Sequence, residues 1–312
     1  MDADGSGETH LTMDPGADSA DERRGGPEGT PLLFNWYDGV TDIEVFVMNA
    51  DGSGQTNLTN DAADDFYADQ QPPVGGKIVF TSDRTGEQEI WLMDGDGGNL
   101  TQLTNSPGSD RWPIWSPDGT KIAFQSIRSG DYDIWVMNAD GSGQTNLTMD
   151  PGGDYVAAWS PDGSQIAFWS DRSGDPQIWI MDAAGSDQTQ LTAALGGNYV
   201  PDWSPAGTKI VFNSERDGHD EIYVIDVDGS NETRLTFSDP GFGAANAVFS
   251  PDGTKIAYAI NDVNPPNYGN LYVMDADGNN VTKITTVTAP DDADVPQWTP
   301  DGTKLLYTGT PD

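Results

Sequence analysis

Trp115–Thr148 reads WSPDGTKIAFQSIRSGDYDIWVMNADGSGQTNLT, and Trp159–Thr192 repeats it as WSPDGSQIAFWSDRSGDPQIWIMDAAGSDQTQLT. Trp203 opens a third copy, so the three tryptophans stand 44 residues apart. A fixed period of this size marks a repeat architecture and outranks any local reading. Each copy divides into four short β-branched and aromatic segments bounded by turn residues. The first ends at the Trp, the second is KIAF-like, the third IWVMN-like, and the fourth runs through QTNLT. In the S-P-D-G turn, Pro presets φ, Asp can bond its own backbone and Gly accepts positive φ. N-A-D-G after the third segment is a tight-hairpin signal. Four antiparallel strands in each 44-residue copy predict one blade of a β-propeller.

Outward from this stretch the pattern degrades at identifiable places. First segments are irregular near residues 13–30 and 62–76, where Pro72 and Pro73 weigh against a regular central strand. Phe249 replaces Trp in a later copy, which also carries the longer loop NDVNPPNYGN. The second-segment motif occurs seven times, at Leu32, Ile78, Ile122, Ile166, Ile210, Ile256 and Leu305, and the third-to-fourth hairpin also occurs seven times, beginning with residues 2–5. These counts predict an all-β, seven-bladed propeller of four-stranded antiparallel blades. Its seventh blade would be split between about residues 1–14 and 290–312, closing the ring with both termini and removing open sheet edges. One domain would then cover residues 1–312, because blades bury their apolar faces only against each other.

Acidic residues number 51 and basic residues 14, a formal net charge of -37. Such a surface repels nucleic acid and suits a salty or cation-rich medium. Lys77, Lys121, Lys209, Lys255 and Lys304 open second strands, and Arg84, Arg128, Arg172 and Arg216 occupy the turns that follow. A repeated position serves the repeated unit, so these nine read as structural. There is no cysteine, which excludes disulfides and thiol chemistry. No run of 18 apolar residues predicts a membrane span. The start at MDADGSG carries no signal-peptide pattern, and a mature form or an excised domain is the expectation.

The blocks WSPDGTKIAF, IWVMNADG and QTNLT resemble the repeats of the TolB-like, or WD40-like (PD40), propeller family over almost all of the chain. The resemblance implies a periplasmic or extracellular, monomeric, non-enzymatic propeller that binds or scaffolds a protein or peptide at one face or at the channel mouth. Alternatives are an extracellular carbohydrate-active hydrolase or lyase, or a structural module of a larger surface protein. Oligogalacturonate lyases with similar propellers use histidines clustered around a metal. This chain has only His10 and His219, at different blade positions and without H-x-H or H-E-x-x-H spacing. No catalytic residue is assigned.

Two acidic constellations are candidate cation sites. D-x-D-G hairpins, such as Asp94/Asp96 and Asp275/Asp277, offer clustered oxygens that suit Ca²⁺, although the turn needs Asp and Gly on its own account. Five residues before Trp115, Trp159 and Trp203 stand Asp110, Asp154 and Asn198, with Asp294 close to the same level in the last blade. Equivalent positions on inner strands would form a ring, so Ca²⁺ or Mg²⁺ in the central channel is the expectation for these four. Trp112, Tyr155 and Tyr199 near them offer contact area for a partner. The repeated Trp, Phe and Met residues elsewhere read as core between blades.

Overall fold

The computed structural model describes residues 1–7, 9, 11, 17–19, 32–37, 42–72, 76–262, 269–285 and 293–309. Every regular element among them is a strand. The first four-stranded sheet holds β1 (Ala17–Ser19), β2 (Leu32–Tyr37), β3 (Ile43–Met48) and β4 (Thr56–Asn57). The second holds β5 (Asp65–Gln70), β6 (Lys77–Ser82), β7 (Glu89–Asp94) and β8 (Thr101–Gln102). The third holds β9 (Asp110–Trp115), β10 (Lys121–Ser126), β11 (Asp133–Asn138) and β12 (Thr145–Asn146). The fourth holds β13 (Asp154–Trp159), β14 (Gln165–Ser170), β15 (Gln177–Asp182) and β16 (Thr189–Gln190). The fifth holds β17 (Asn198–Trp203), β18 (Lys209–Ser214), β19 (Glu221–Asp226) and β20 (Thr233–Arg234). The sixth holds β21 (Phe242–Phe249), β22 (Lys255–Asp262), β23 (Gly269–Asp275) and β24 (Thr282–Lys283). A two-stranded sheet of β25 (Ala293–Trp298) and β26 (Leu305–Gly309) ends the chain. None of these is a helix long and apolar enough to cross a membrane.

The expected seventh four-stranded blade, shared between the termini, is corrected by this topology. The described residues give six four-stranded blades, and β25 and β26 pair only with each other. The N-terminal segment meets β26's approach as a single bridge, Asp2 to Lys304, flanked by Leu305 N–H donating to Met1 O at 3.0 Å and Ala3 N–H to Thr303 O at 3.0 Å. A complete third strand has six residues ahead of its hairpin, as in DIWVMN. Here the contact is the one bridge and its flanking bonds, with the Met1 amino group also donating to Leu305 O at 3.1 Å, and not a six-residue ladder. Residues 8, 10 and 12, where the outer strand was expected, lie outside the described residues.

Two compact units divide the chain, His10–Val156 and Met1–Thr9 with Ala157–Asp312. Inside each, the blade interiors repeat one grammar. β10 pairs with β11 without a break, from Lys121 opposite Asn138 to Ser126 opposite Asp133. Both faces of such central strands are buried, the pattern of a sheet covered on two sides. The fourth strands are two residues long, which leaves little exposed edge to recruit another chain.

Neighbouring blades meet through the repeated apolar positions. In the His10–Val156 unit, Val79, Leu92 and Leu103 pack with Trp115, Ile122, Phe124 and Met137. The Trp115 indole N–H donates to Asp69 O at 3.2 Å. In the other unit, Trp203 reaches Ala158 O at 3.0 Å and Trp298 reaches Val248 O at 3.3 Å. Phe80, Phe124, Phe168, Phe212, Met93, Met137 and Met181 are buried, so the core reading of these residues holds. The repeated lysines pair across the second and third strands, as Lys77–Asp94 and Lys209–Asp226 do.

First strands carry one irregularity the sequence did not announce. Their third residue has a left-handed φ: 55° at Tyr67, 52° at Trp112, 52° at Val200 and 46° at Val295. The ladder to the second strand slips at the same place. Left-handed φ costs a non-glycine residue roughly 1–2 kcal/mol, and such bulges re-aim side chains.

Candidate functional site

The first residue of the first strand anchors a clamp in successive blades. Asp65, Asp110, Asp154 and Asn198 occupy this position and all are fully buried. Arg84 Nη2 donates to both Asp65 carboxylate oxygens at 2.9 Å, Arg128 Nη2 pairs with Asp110, and Arg216 Nη2 donates to Asn198 Oδ1 at 2.9 Å. Each guanidinium Nε donates to the serine closing the second strand, Ser82, Ser126 or Ser214, at 2.8 Å. Each guanidinium also lies over two rings of its own blade, as Arg128 lies over Phe124 and Trp135 at 5.5 and 4.5 Å. Arg172 repeats the contacts with Ser170, Phe168 and Trp179. A planar, always-charged fork suits a buried carboxylate that must also be stacked.

Of the four residues expected to hold a cation, Asp110 therefore has Arg128 as its countercharge, and Asn198 is held by Arg216 and by Gln177, whose Oε1 accepts from Asn198 Nδ2 at 3.0 Å. Asp154 is buried at the matching position. Asp294 is the second residue of β25, opposite Thr308, and its side chain lies outside what is described. Asp65 completes the series and was missed, because Gln70 stands where the next three blades have Trp115, Trp159 and Trp203. Its signal was Arg84 in SDRTG, a repeated arginine that needs a repeated partner. Among the described residues, no group of three or more His, Asp or Glu side chains is placed to hold a metal ion.

A second carboxyl sits against Asp110. Glu89, the first residue of β7, accepts from Thr104 Oγ1 at 2.6 Å and from Ser106 N–H at 3.0 Å. Burial pushes its pKa from 4.5 up to about 7, with the neighbouring Asp110 charge adding to the rise and the Thr104 bond opposing it. Gln177 and Asn198 are the amide version of the same pair.

The partner-contact candidates fall at two positions rather than one. Tyr155 and Tyr199 are second residues of their strands, equivalent to Phe66 and Arg111, whereas Trp112 is a third residue, equivalent to Tyr67. In the His10–Val156 unit these side chains form a continuous row. Phe66 and Tyr67 meet edge to face at 4.7 Å, and Tyr67 meets Trp112 at 4.9 Å. The Arg111 guanidinium lies 4.2 Å from the Trp112 ring and 4.2 Å from the Tyr132 ring. Tyr132 then meets Tyr155 at 5.6 Å. All six are partly exposed, as the repeated Trp91, Trp135 and Trp179 also are, whereas the repeated Phe80, Phe124, Phe168 and Phe212 are buried. Sequence reasoning missed Phe66, Tyr67, Arg111 and Tyr132.

Tyr199 lies in the other unit, edge-on to Trp169 at 5.1 Å, with its hydroxyl donating to Glu215 at 3.4 Å. Burial and the Glu215 charge raise its pKa. Both tyrosines fold back over a glycine two residues earlier. A Cβ at Gly153 would stand 2.3 Å from the Tyr155 hydroxyl, and one at Gly197 2.0 Å from that of Tyr199. The loops leading into these first strands also expose Met149 and Leu195.

The remaining candidates have local roles. His219 Nε2 lies 2.9 Å from buried Glu221, which also accepts from Arg234 at 2.8 Å. His10 lies outside the described residues. In the D-x-D-G hairpin at Asp226 and Asp228 the second Asp bonds its own turn: Asp228 Oδ1 accepts from Ser230 N–H and Oγ at 2.9 and 2.5 Å, and these bonds hold its pKa low.

Four-stranded antiparallel blades that meet through a buried first-strand tryptophan define a β-propeller. The sequence matches the model of the TolB beta propeller domain over residues 101–199 and 177–265, together just over half of its 312 residues, and the chain belongs to that family. Among solved structures it is similar to a TolB from Agrobacterium tumefaciens, with 24% identity, a TM-score of 0.62, and 82% of this chain and 93% of that chain covered. It is similar to TolB from Acinetobacter baumannii with 25% identity and a TM-score of 0.61, covering 82% of this chain and 62% of that one, less than two thirds of the relative's length. An oligogalacturonate lyase in complex with manganese shares the fold at 15% identity and a TM-score of 0.62, over 93% of this chain and 78% of that one. No curated protein matches the sequence.

Proposed function

We propose that this chain is a non-enzymatic, TolB-like binding propeller of the periplasm or extracellular space, and that its contact surface for a protein or peptide is the aromatic row from Phe66 to Tyr155. The row carries the reading. In a repeat protein the residues that serve packing recur from blade to blade, as buried Phe80 and Phe124 and partly exposed Trp91 and Trp135 do. Tyr132 and Arg111 do not recur, and they stay partly exposed. Half-exposed rings beside a cation supply large contact area at low entropy cost, the composition of binding hot spots. Exposed Met149 enlarges the apolar surface in the same unit. The TolB likenesses support a binding role over chemistry, and the likeness to the lyase is one of fold.

The test is selection of a displayed peptide library on the full chain, followed by affinity measurement on Tyr132→Ala and Tyr155→Ser. Both side chains are partly exposed, so the fold should survive. Loss of tenfold or more, about 1.4 kcal/mol, in each variant is expected. Selected peptides that bind the parent and both variants equally would place the contact surface elsewhere.

A further inference from the structure

We infer that Arg111, with Gln125 beside it, is a subsite for a carboxylate carried by a peptide whose flanks are basic. This rests on the peptide-binding reading and assigns the chemistry of one position within it.

Two observations carry the assignment. The first is the state of Arg111. Arg84, Arg128, Arg216 and Arg234 each have an acidic partner. Among the described residues Arg111 has none, and its buried Nε has no hydrogen-bond partner there either. In a chain of net charge -37, a guanidinium left without a carboxylate is a departure that needs a reason. The Trp112 and Tyr132 rings each lie 4.2 Å from it, which holds the cation but neutralises nothing. Blade packing does not require it either, because Phe66, Tyr155 and Tyr199 stand at the same position in other blades.

The second observation is Gln125. It lies on β10 directly opposite Arg111, only 1% exposed, and neither its Oε1 nor its Nε2 has a partner among the described residues. Residues paired across two strands present their side chains on one face. A buried amide with both functions unmade costs more than an ordinary hydrogen bond returns. Asn35, Thr81 and Asn213 hold this position in other blades and each also leaves a buried oxygen without a partner among the described residues, so Nε2 of Gln125 is the donor particular to this blade, and a peptide carbonyl beside Arg111 is the acceptor it lacks. A carboxylate on that peptide gives Arg111 the charge-assisted, two-pronged contact for which a guanidinium is shaped.

The surrounding charge selects the rest of the ligand. A surface at -37 repels a polyanion and attracts basic flanks. The partner is therefore a basic segment interrupted by one acid rather than an acidic polymer. That separates it from a chain of uronic acids, which would also have to stack on rings already capped by the guanidinium and tilted 47° and 48° to their neighbours.

Calorimetric titration of the full chain with acetyl-Lys-Lys-Gly-Asp-Gly-Lys-Lys-amide, and with the same peptide carrying Asn for Asp, tests the assignment. The Asp peptide should bind about tenfold tighter. Arg111→Gln should bring the two affinities together, and Arg111→Lys, which keeps charge without the fork, should retain only part of the difference. Thermal melts of both variants report whether the fold is kept, and either folded variant suffices. Equal affinities of the two peptides for the parent, with binding still lost in Tyr132→Ala, would overturn the carboxylate subsite and leave the peptide surface standing. Binding of an oligogalacturonate and of neither peptide would overturn both.

Discussion

Replacing Glu89 by glutamine should make this protein more stable at alkaline pH and leave it unchanged in acid. Glu89 is 3% exposed and lies against Asp110, so its charged form is both desolvated and repelled. Its pKa of about 7 in the folded chain, against 4.5 without these surroundings, means that the folded state holds the proton more tightly than the unfolded state. The stabilisation from that proton is complete below pH 4.5, declines as pH rises, and is gone above about 7. At about 1.4 kcal/mol per pKa unit, the ionised pair costs roughly 3 kcal/mol at pH 8.5. Glutamine removes that cost but weakens the bonds from Thr104 and Ser106, each by about 1 kcal/mol or less. The net gain is on the order of 1–3 kcal/mol at pH 8.5, or a few degrees of melting temperature, shrinking to near zero at pH 5. Gln177 and Asn198 show that an amide pair fits the same geometry. Thermal melts of parent and Glu89→Gln from pH 5 to 8.5 are the assay. A variant no more stable than the parent at pH 8.5, or a gap independent of pH, would refute the reasoning.

Trp203→Phe should cost about 1 kcal/mol, the indole bond to Ala158 O, because Phe249 already serves at the equivalent position; Trp203→Ala should cost about 3–5 kcal/mol, read by denaturant melts, and equal losses would contradict the packing account. The charge of -37 should make melting temperature climb between roughly 0.01 and 1 M NaCl, and a flat profile would contradict self-repulsion. Ca²⁺ or Mg²⁺ at Asp110, Asp154, Asn198 and Asp294 is a proposal for calorimetry: saturable binding that Asp110→Asn with Asp154→Asn abolishes would support it, whereas no heat and an unchanged melt in chelator would overturn it.

What recurs in this chain was legible. The 44-residue spacing of Trp115, Trp159 and Trp203 gave the blade, its four strands and its core, because each copy solves the same packing problem. Asp65 was hidden because Gln70 breaks the Trp frame. The bond from Arg128 to Asp110 was hidden because its ends lie on opposite sides of a strand and a turn. The blade count failed at the termini, where matching motifs suggested a completed sheet but the described residues form a bridge at Asp2 and Lys304. The aromatic row was hidden for a different reason. It is assembled from departures, Tyr132 in GDYDIW and Arg111 before Trp112, and a reading tuned to repetition passes over them.

In the proposed role, the row built around these departures is the surface a partner touches. Amide chemical-shift mapping of the isotope-labelled full chain, titrated with a selected peptide, tests it most directly. The account predicts the largest shifts at Phe66, Tyr67, Arg111, Trp112, Tyr132 and Tyr155. Shifts confined to the D-G hairpins at Asp51, Asp96 and Asp140, with the row silent, would contradict it.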